Sequence, residues 1–194
     1  MKAETSTYSE DVQARLNRAE SLSDDGNLDD AINVYRSLVD DTPGDVSLRV
    51  KLAKALYYNG ELEASRLQYE KVLAIDGKNA SAVKGLAYIL FDQERIDEAI
   101  AEYATLIELD PSDPCAHFGL GDAYLKKGMT GRAITEFSEA IRLKPQHPYY
   151  YNKMGRVFES IGLIDEAIEQ YRKAVELKPD FEDAKNNLER LIGR

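Results

Sequence analysis

The chain has 194 residues, 43% hydrophobic and 31% charged, which is the balance of a soluble folded protein and excludes wholesale disorder. Its net charge of −10 is uneven: in residues 1–45, 11 acidic side chains stand against 4 basic ones, which disfavours recognition of nucleic acid through phosphate neutralisation. A single cysteine, Cys115, excludes an internal disulfide framework and a thiolate metal site, and it fits a reducing, cytoplasmic setting.

The opening MKAETSTYSEDV lacks the apolar core of a secretory signal, and residues 1–11 read as a flexible N-terminal segment. The first stretch that suggests chemistry is SLSDDGNLDDAI, residues 21–32, where Asp and Asn surround a glycine as they do in a calcium-binding loop. If Gly26 stands at the sixth position of such a loop, Ile32 falls at the twelfth, where a bidentate Glu is required, so calcium is not expected there. Farther along, the longest apolar runs, such as Leu86 to Phe91, are far short of the ~20 residues of a membrane span, so no direct membrane insertion is expected.

The stretch recurs in outline every 34 residues, giving five units: 12–45, 46–79, 80–113, 114–147 and 148–181. Numbering each unit from its first residue, position 20 is small (Ala31, Ser65, Ala99, Ala133, Ala167) and position 24 aromatic (Tyr35, Tyr69, Tyr103, Phe137, Tyr171). Position 27 is apolar (Leu38, Val72, Leu106, Ala140, Ala174). Positions 20, 24 and 27 share one helical face, and positions 7, 8 and 11, as in Leu52, Ala53 and Leu56, form another, so each unit reads as two amphipathic helices. Between them, position 15 is glycine (Gly26, Gly60, Gly128, Gly162) except at Glu94, and a positive φ there would end the first helix. Asp29, Asp97 and Asp165 at position 18 are expected at the start of the second helix, satisfying its free N–H groups and its dipole. Residues 182–194 carry an apolar stripe of Ala184, Leu188 and Leu191 on an otherwise polar segment, the pattern of a capping helix over the last unit.

With its 34-residue period, its small residues at positions 8 and 20, its aromatic at 24 and Pro43, Pro111, Pro145 and Pro179 at position 32, the chain resembles the tetratricopeptide repeat (TPR) family from residue 12 to residue 181. The resemblance implies an all-α fold, a right-handed superhelical solenoid of antiparallel helix pairs. It departs locally: Gly77 replaces the proline after the second unit, and Arg15, Arg49, Val83 and His117 stand at position 4, where an aromatic is common and Tyr151 conforms.

A search for catalytic machinery finds little. His117 and His147 lack metal-ligand spacing, no phosphate-binding glycine loop or nucleophile elbow occurs, and no catalytic residue, metal site or cofactor is expected. His117 reads as a packing residue, His147 as a solvated turn residue and Cys115 as a bland small side chain. The remaining signal is a stripe at positions 2, 5, 9 and 12, which in the family lines the concave groove that holds a peptide or a partner helix. The residues this resemblance implies for the groove are Lys54, Tyr57, Lys84, Tyr88, Phe91, Phe118, Asp122, Tyr149, Asn152 and Arg156. Aromatic anchors beside Lys or Arg suit recognition, although burial between neighbouring first helices would account for some of them. The family's carboxylate clamp for an acidic chaperone tail is not matched, since only Lys84 and, loosely, Lys153 fit its pattern. The expectation is therefore a non-enzymatic protein–protein interaction scaffold or adaptor, mainly monomeric, with a protein or peptide ligand. Alternatives are a self-associating assembly factor or coat of stacked solenoids, and an adaptor domain cut from a larger enzyme.

Overall fold

A computed structural model describes residues 8–193, and among them secondary structure is helical only. The chain divides into two compact units at Gln93/Glu94, inside the turn of the third repeat. The first unit holds α1 (Glu10–Asp24), α2 (Leu28–Asp41), α3 (Val46–Tyr58), α4 (Leu62–Ile75) and α5 (Ala80–Asp92). The second holds α6 (Ile96–Leu109), α7 (Pro114–Lys126), α8 (Thr130–Leu143), α9 (Pro148–Ser160), α10 (Ile164–Leu177) and α11 (Glu182–Ile192). Within each unit every helix packs on its neighbours in the chain, so each is a stack of antiparallel helix pairs, the architecture of a TPR solenoid. Of the segment 1–11, residues 1–7 lie outside the described residues; Glu10 and Asp11 form the first turn of α1. No helix among the described residues is long and apolar enough to cross a membrane.

The repeat stripes make the core. The residues at positions 20, 24 and 27 are buried in every repeat, and Leu48, Leu52 and Leu56 close on Leu16, Ile32, Tyr35 and Leu38 in the first unit. Ser65, polar at a position that is otherwise alanine, is fully buried and donates its hydroxyl to the Ala53 carbonyl at 2.7 Å, so its burial leaves no orphaned donor. In the second to fifth repeats the aromatic at position 24 lies against a glycine of a first helix. A methyl group on Gly85 would stand 2.2 Å from Tyr69 Cε2, and one on Gly119 2.4 Å from Tyr103 Cε1; Gly121 and Gly155 meet Phe137 and Tyr171 in the same way.

The turns within repeats are ended as the sequence predicts: Gly26, Gly60, Gly128 and Gly162 have φ between 73° and 81°. Glu94 adopts φ 59° at the same position without being glycine. The expected capping role of Asp29, Asp97 and Asp165 is corrected. They fall one residue inside the second helices, whose N-caps (Asn27, Arg95 and Leu163) make no side-chain cap bond, so they favour the dipole only. The side-chain caps belong to the first helices instead, where Ser9, Asp45, Asn79 and Asp113 accept from backbone N–H groups.

Position 18 has another use. Asn59 Nδ2 donates to Asp29 Oδ1 at 3.0 Å and Gln93 Nε2 to Glu63 Oε1 at 2.7 Å, tying position 14 of one repeat to position 18 of the repeat before it. In the second unit Lys127 pairs with Asp97 in the same register. The next step breaks the pattern, with Gly131 and Ile161 at the two positions and Ile161 exposed.

Candidate binding site

In the first unit the predicted stripe comes together. Lys54 and Tyr57 on α3 and Lys84 and Tyr88 on α5 line a cavity of about 110 Å³ with Tyr58, Tyr69, Ser81 and Gly85. Successive turns of α3 bring Lys54, Tyr57 and Tyr58 to one face, and the short Gly85 lets the Tyr69 ring from α4 reach the cavity floor. Tyr57 and Tyr88 stand 6.5 Å apart between ring centroids, and Tyr58 meets Tyr57 edge-on at 5.5 Å. The Tyr57 hydroxyl donates to Asp92 Oδ2 at 2.6 Å; burial, then that carboxylate, pushes its pKa upward, so it stays a neutral donor. Burial raises Tyr69 likewise. Lys54 is exposed, and Phe91 lies half-buried at the end of α5.

The second unit uses most of its stripe internally. Phe118 stacks on Tyr150 at 4.9 Å and meets Phe137 at 5.2 Å and Tyr149 at 5.6 Å, which makes it a partly buried member of the α7–α8–α9 core. Asp122 pairs with Lys153 at 2.5 Å; burial raises its pKa, opposed by Lys153 and more weakly by Arg156 and Lys126. Asn152 is buried and its Oδ1 accepts from Asn187 Nδ2 of α11 at 3.1 Å. Tyr149 and Arg156 are exposed, and Arg156 borders a polar hollow shared with Asp183 and Asn186.

Other singled-out residues fall as follows. The loop SLSDDGNLDDAI is a helix-to-helix turn in which Asn27 Nδ2 donates to Asp30 Oδ2 at 2.8 Å. Among the described residues no group of three or more His, Cys, Asp or Glu side chains could hold a metal ion. His117 packs as expected, but it also bonds Glu136 through Nδ1 at 2.8 Å. His147 corrects the expectation of a solvated turn residue. Its ring stacks on Tyr150 at 4.2 Å, its Nδ1 is buried without a partner, and burial and Lys144 lower its pKa. Cys115 is exposed, its sulfur 3.9 Å from the Tyr150 hydroxyl.

The sequence reading missed Tyr58, Tyr69 and Gly85 as lining residues, whereas Ser81, at position 2 of its repeat, falls on the stripe. Tyr58 is four residues after Lys54 and thus on its face, a spacing that could have found it. Nothing in the sequence separates Tyr69 from the other core aromatics.

Three family models match the chain, one described as TPR repeat over residues 87–128 and two as tetratricopeptide repeat over residues 22–87 and 118–180. The chain belongs to the tetratricopeptide repeat family. Solved TPR structures are similar in fold. TTC0263, a thermophilic TPR protein in Thermus thermophilus, is 20% identical, with 94% of this chain and 100% of that one covered and a TM-score of 0.76. A crystal structure of MamA is 26% identical over 86% of this chain and 96% of that one, with a TM-score of 0.72. YrrB, a TPR protein with an unusual peptide-binding site, is 20% identical over 89% of each chain, with a TM-score of 0.67. No curated protein matches the sequence.

Proposed function

We propose that this TPR protein is a non-enzymatic, cytoplasmic scaffold that grips a peptide or helix of a partner protein along the stripe of its first helices. The observation that carries the reading is the tyrosine-lined cavity between α3 and α5 with Lys54 and Lys84 at its rim. Tyrosine supplies large contact area with little rotamer freedom to lose, and lysines at the rim select an acidic neighbour. The peptide-binding site named for YrrB, a similar fold, supports the class of ligand. The ligand presents an apolar or aromatic anchor to the tyrosines with a carboxylate near Lys84. Its affinity falls only modestly with salt, because exposed ion pairs contribute roughly 0 to 1 kcal/mol each.

The test is to isolate a partner from the source cell and compare its affinity for the wild type, for Tyr88→Ala and for Glu108→Ala, an exposed control on α6, each variant first shown to keep its melting temperature. Tyr88→Ala should lose about 2 kcal/mol and Glu108→Ala nothing measurable. Equal affinities would place the binding surface elsewhere. Phe118→Ala is the poorer probe, because Phe118 holds Tyr150 and Phe137 in the core. The self-association alternative is favoured by one feature, the exposed Ile161 and Leu163 in the turn between α9 and α10 together with Ile164 at the start of α10.

A further inference from the structure

Away from the tyrosine cavity, and sharing no residue with it, the first unit has a second hollow of about 250 Å³ between α2 and α4, floored by α3. Its apolar wall includes Val39, Leu52 and Leu56, and its polar wall is Arg36, Arg49, Lys71, Gln68 and a single carboxylate, Asp40. Arg49 is the unusual member. It is 8% exposed, and the partners of its guanidinium are neutral: Nη1 donates to Gln68 Oε1 at 2.9 Å and Nη2 to the Pro43 carbonyl at 2.7 Å. Its Nε is buried without a partner.

A permanently charged guanidinium held out of water is costly unless a counter-charge is near, because its lost hydration is not restored by neutral oxygens. The fourth repeat shows what the same site looks like when an anion is built in: His117, at the position equivalent to Arg49, bonds Glu136, at the position equivalent to Gln68. In the second repeat the stronger cation has the neutral partner. Arg36 is engaged with Glu61 at 3.1 Å, a pair exposed on both sides, whereas Lys71 is exposed and forms no ion pair among the described residues. With Arg36 matched by Glu61, Arg49 and Lys71 stand against one carboxylate, Asp40, which leaves a local excess of positive charge on a protein whose net charge is −10.

We infer that the hollow between α2 and α4 is a second binding site, for a carboxylate carried on a branched apolar body. The anion balances the buried Arg49 and pairs with Arg36 and Lys71, and the apolar body rests on the partly buried Ala64 and on the remaining edges of Val39, Leu52 and Leu56, which the core already covers. A free branched-chain carboxylate and an acidic side chain beside a leucine in a partner chain share this chemistry. The site is independent of the proposed peptide-binding stripe and stands or falls without it.

The Arg49 Nε–H resonance of 15N-labelled protein reads the site directly. Isovalerate should shift it saturably, with a dissociation constant on the order of 1 mM for so small a ligand. Isovaleramide, of the same shape without the charge, should leave it unmoved, and inorganic phosphate should bind more weakly. Lys71→Ala should weaken isovalerate severalfold and Asp40→Asn should tighten it. Arg49→Met, followed through the side-chain amide resonance of Gln68 because its own probe is gone, should show no binding and, because it removes a buried charge, should fold at least as well as the wild type. If that variant does not fold, Lys71→Ala, which changes an exposed side chain, still decides the matter. Acetyl-Leu-Glu-Leu-amide binding at least about tenfold tighter than isovalerate, and more tightly than its Gln analogue, assigns the carboxylate to a partner chain, whereas equal affinity assigns it to a free molecule. No saturable shift with either probe, an equal response to isovaleramide, tighter binding of phosphate, or unchanged affinity in Lys71→Ala would each overturn the assignment.

Discussion

Glu94 holds φ 59° at a position where the other four repeats have glycine, and a side chain in that left-handed region is strained by its own Cβ. Glu94→Gly should therefore raise stability by about 0.5–1 kcal/mol, the exposed Glu94–Lys126 pair being worth little against that gain; thermal denaturation measures it. Two other glycines should respond in opposite directions. Gly131, in the first turn of α8, has open space for 4 Å around the place a methyl would take, so Gly131→Ala should stabilise by about 0.5–1 kcal/mol through helix propensity alone. Gly119→Ala gains the same propensity but drives a methyl into the buried Tyr103 ring, and a net loss of about 1–3 kcal/mol is expected. If both variants melt above the wild type, the ring does not depend on that glycine. The turn glycines were legible because they repeat in phase. Gly85 and Gly119 were not, because position 6 is glycine in only two repeats and the ring that requires each comes from the repeat before.

At the scale of elements, the helices were legible from their apolar stripes, whose 3.6-residue period admits no strand, and the structure has none among the described residues. Their starts were less so. Asp45, Asn79 and Asp113 cap first helices from the last position of the preceding repeat, while the more conspicuous Asp29 and Asp97 lie inside a helix and bond the next repeat. A carboxylate near a helix start has two outlets, and composition does not say which one it takes. The terminal helix shows the energetics of an end. α11 covers Tyr171 with Leu191 and Leu188, Arg190 reaches Glu159, and Asn187 satisfies the buried Asn152. Deleting residues 181–194 should lower the melting temperature and increase binding of a hydrophobic dye, since it uncovers the aromatic and leaves an amide short of its donor. A truncated chain that melts and sediments like the full one would remove the capping role.

For the whole molecule, the excess of acid, concentrated in residues 1–45, disfavours contact between copies, and the protein should be mainly monomeric at micromolar concentration by light scattering. A stable, salt-resistant oligomer would instead support assembly through the exposed Ile161, Leu163 and Ile164. The candidate site was half legible at this scale. A stripe identifies which face of a helix turns a given way, but whether a side chain on it meets solvent or a neighbour depends on that neighbour's residues. Thus Lys54 and Tyr58 remain open at their cavity, whereas Phe118, Asp122 and Asn152 are taken by Tyr150, Lys153 and Asn187. The bonds from Asp29 to Asn59 and from Glu63 to Gln93 carry a last consequence. They make each repeat a key cut for the lock that follows it, so the repeats are not interchangeable bricks. Splicing the fifth repeat directly after the second would set the Glu63 carboxylate against Ile161, while the existing order sets that isoleucine opposite Gly131, which asks nothing of it.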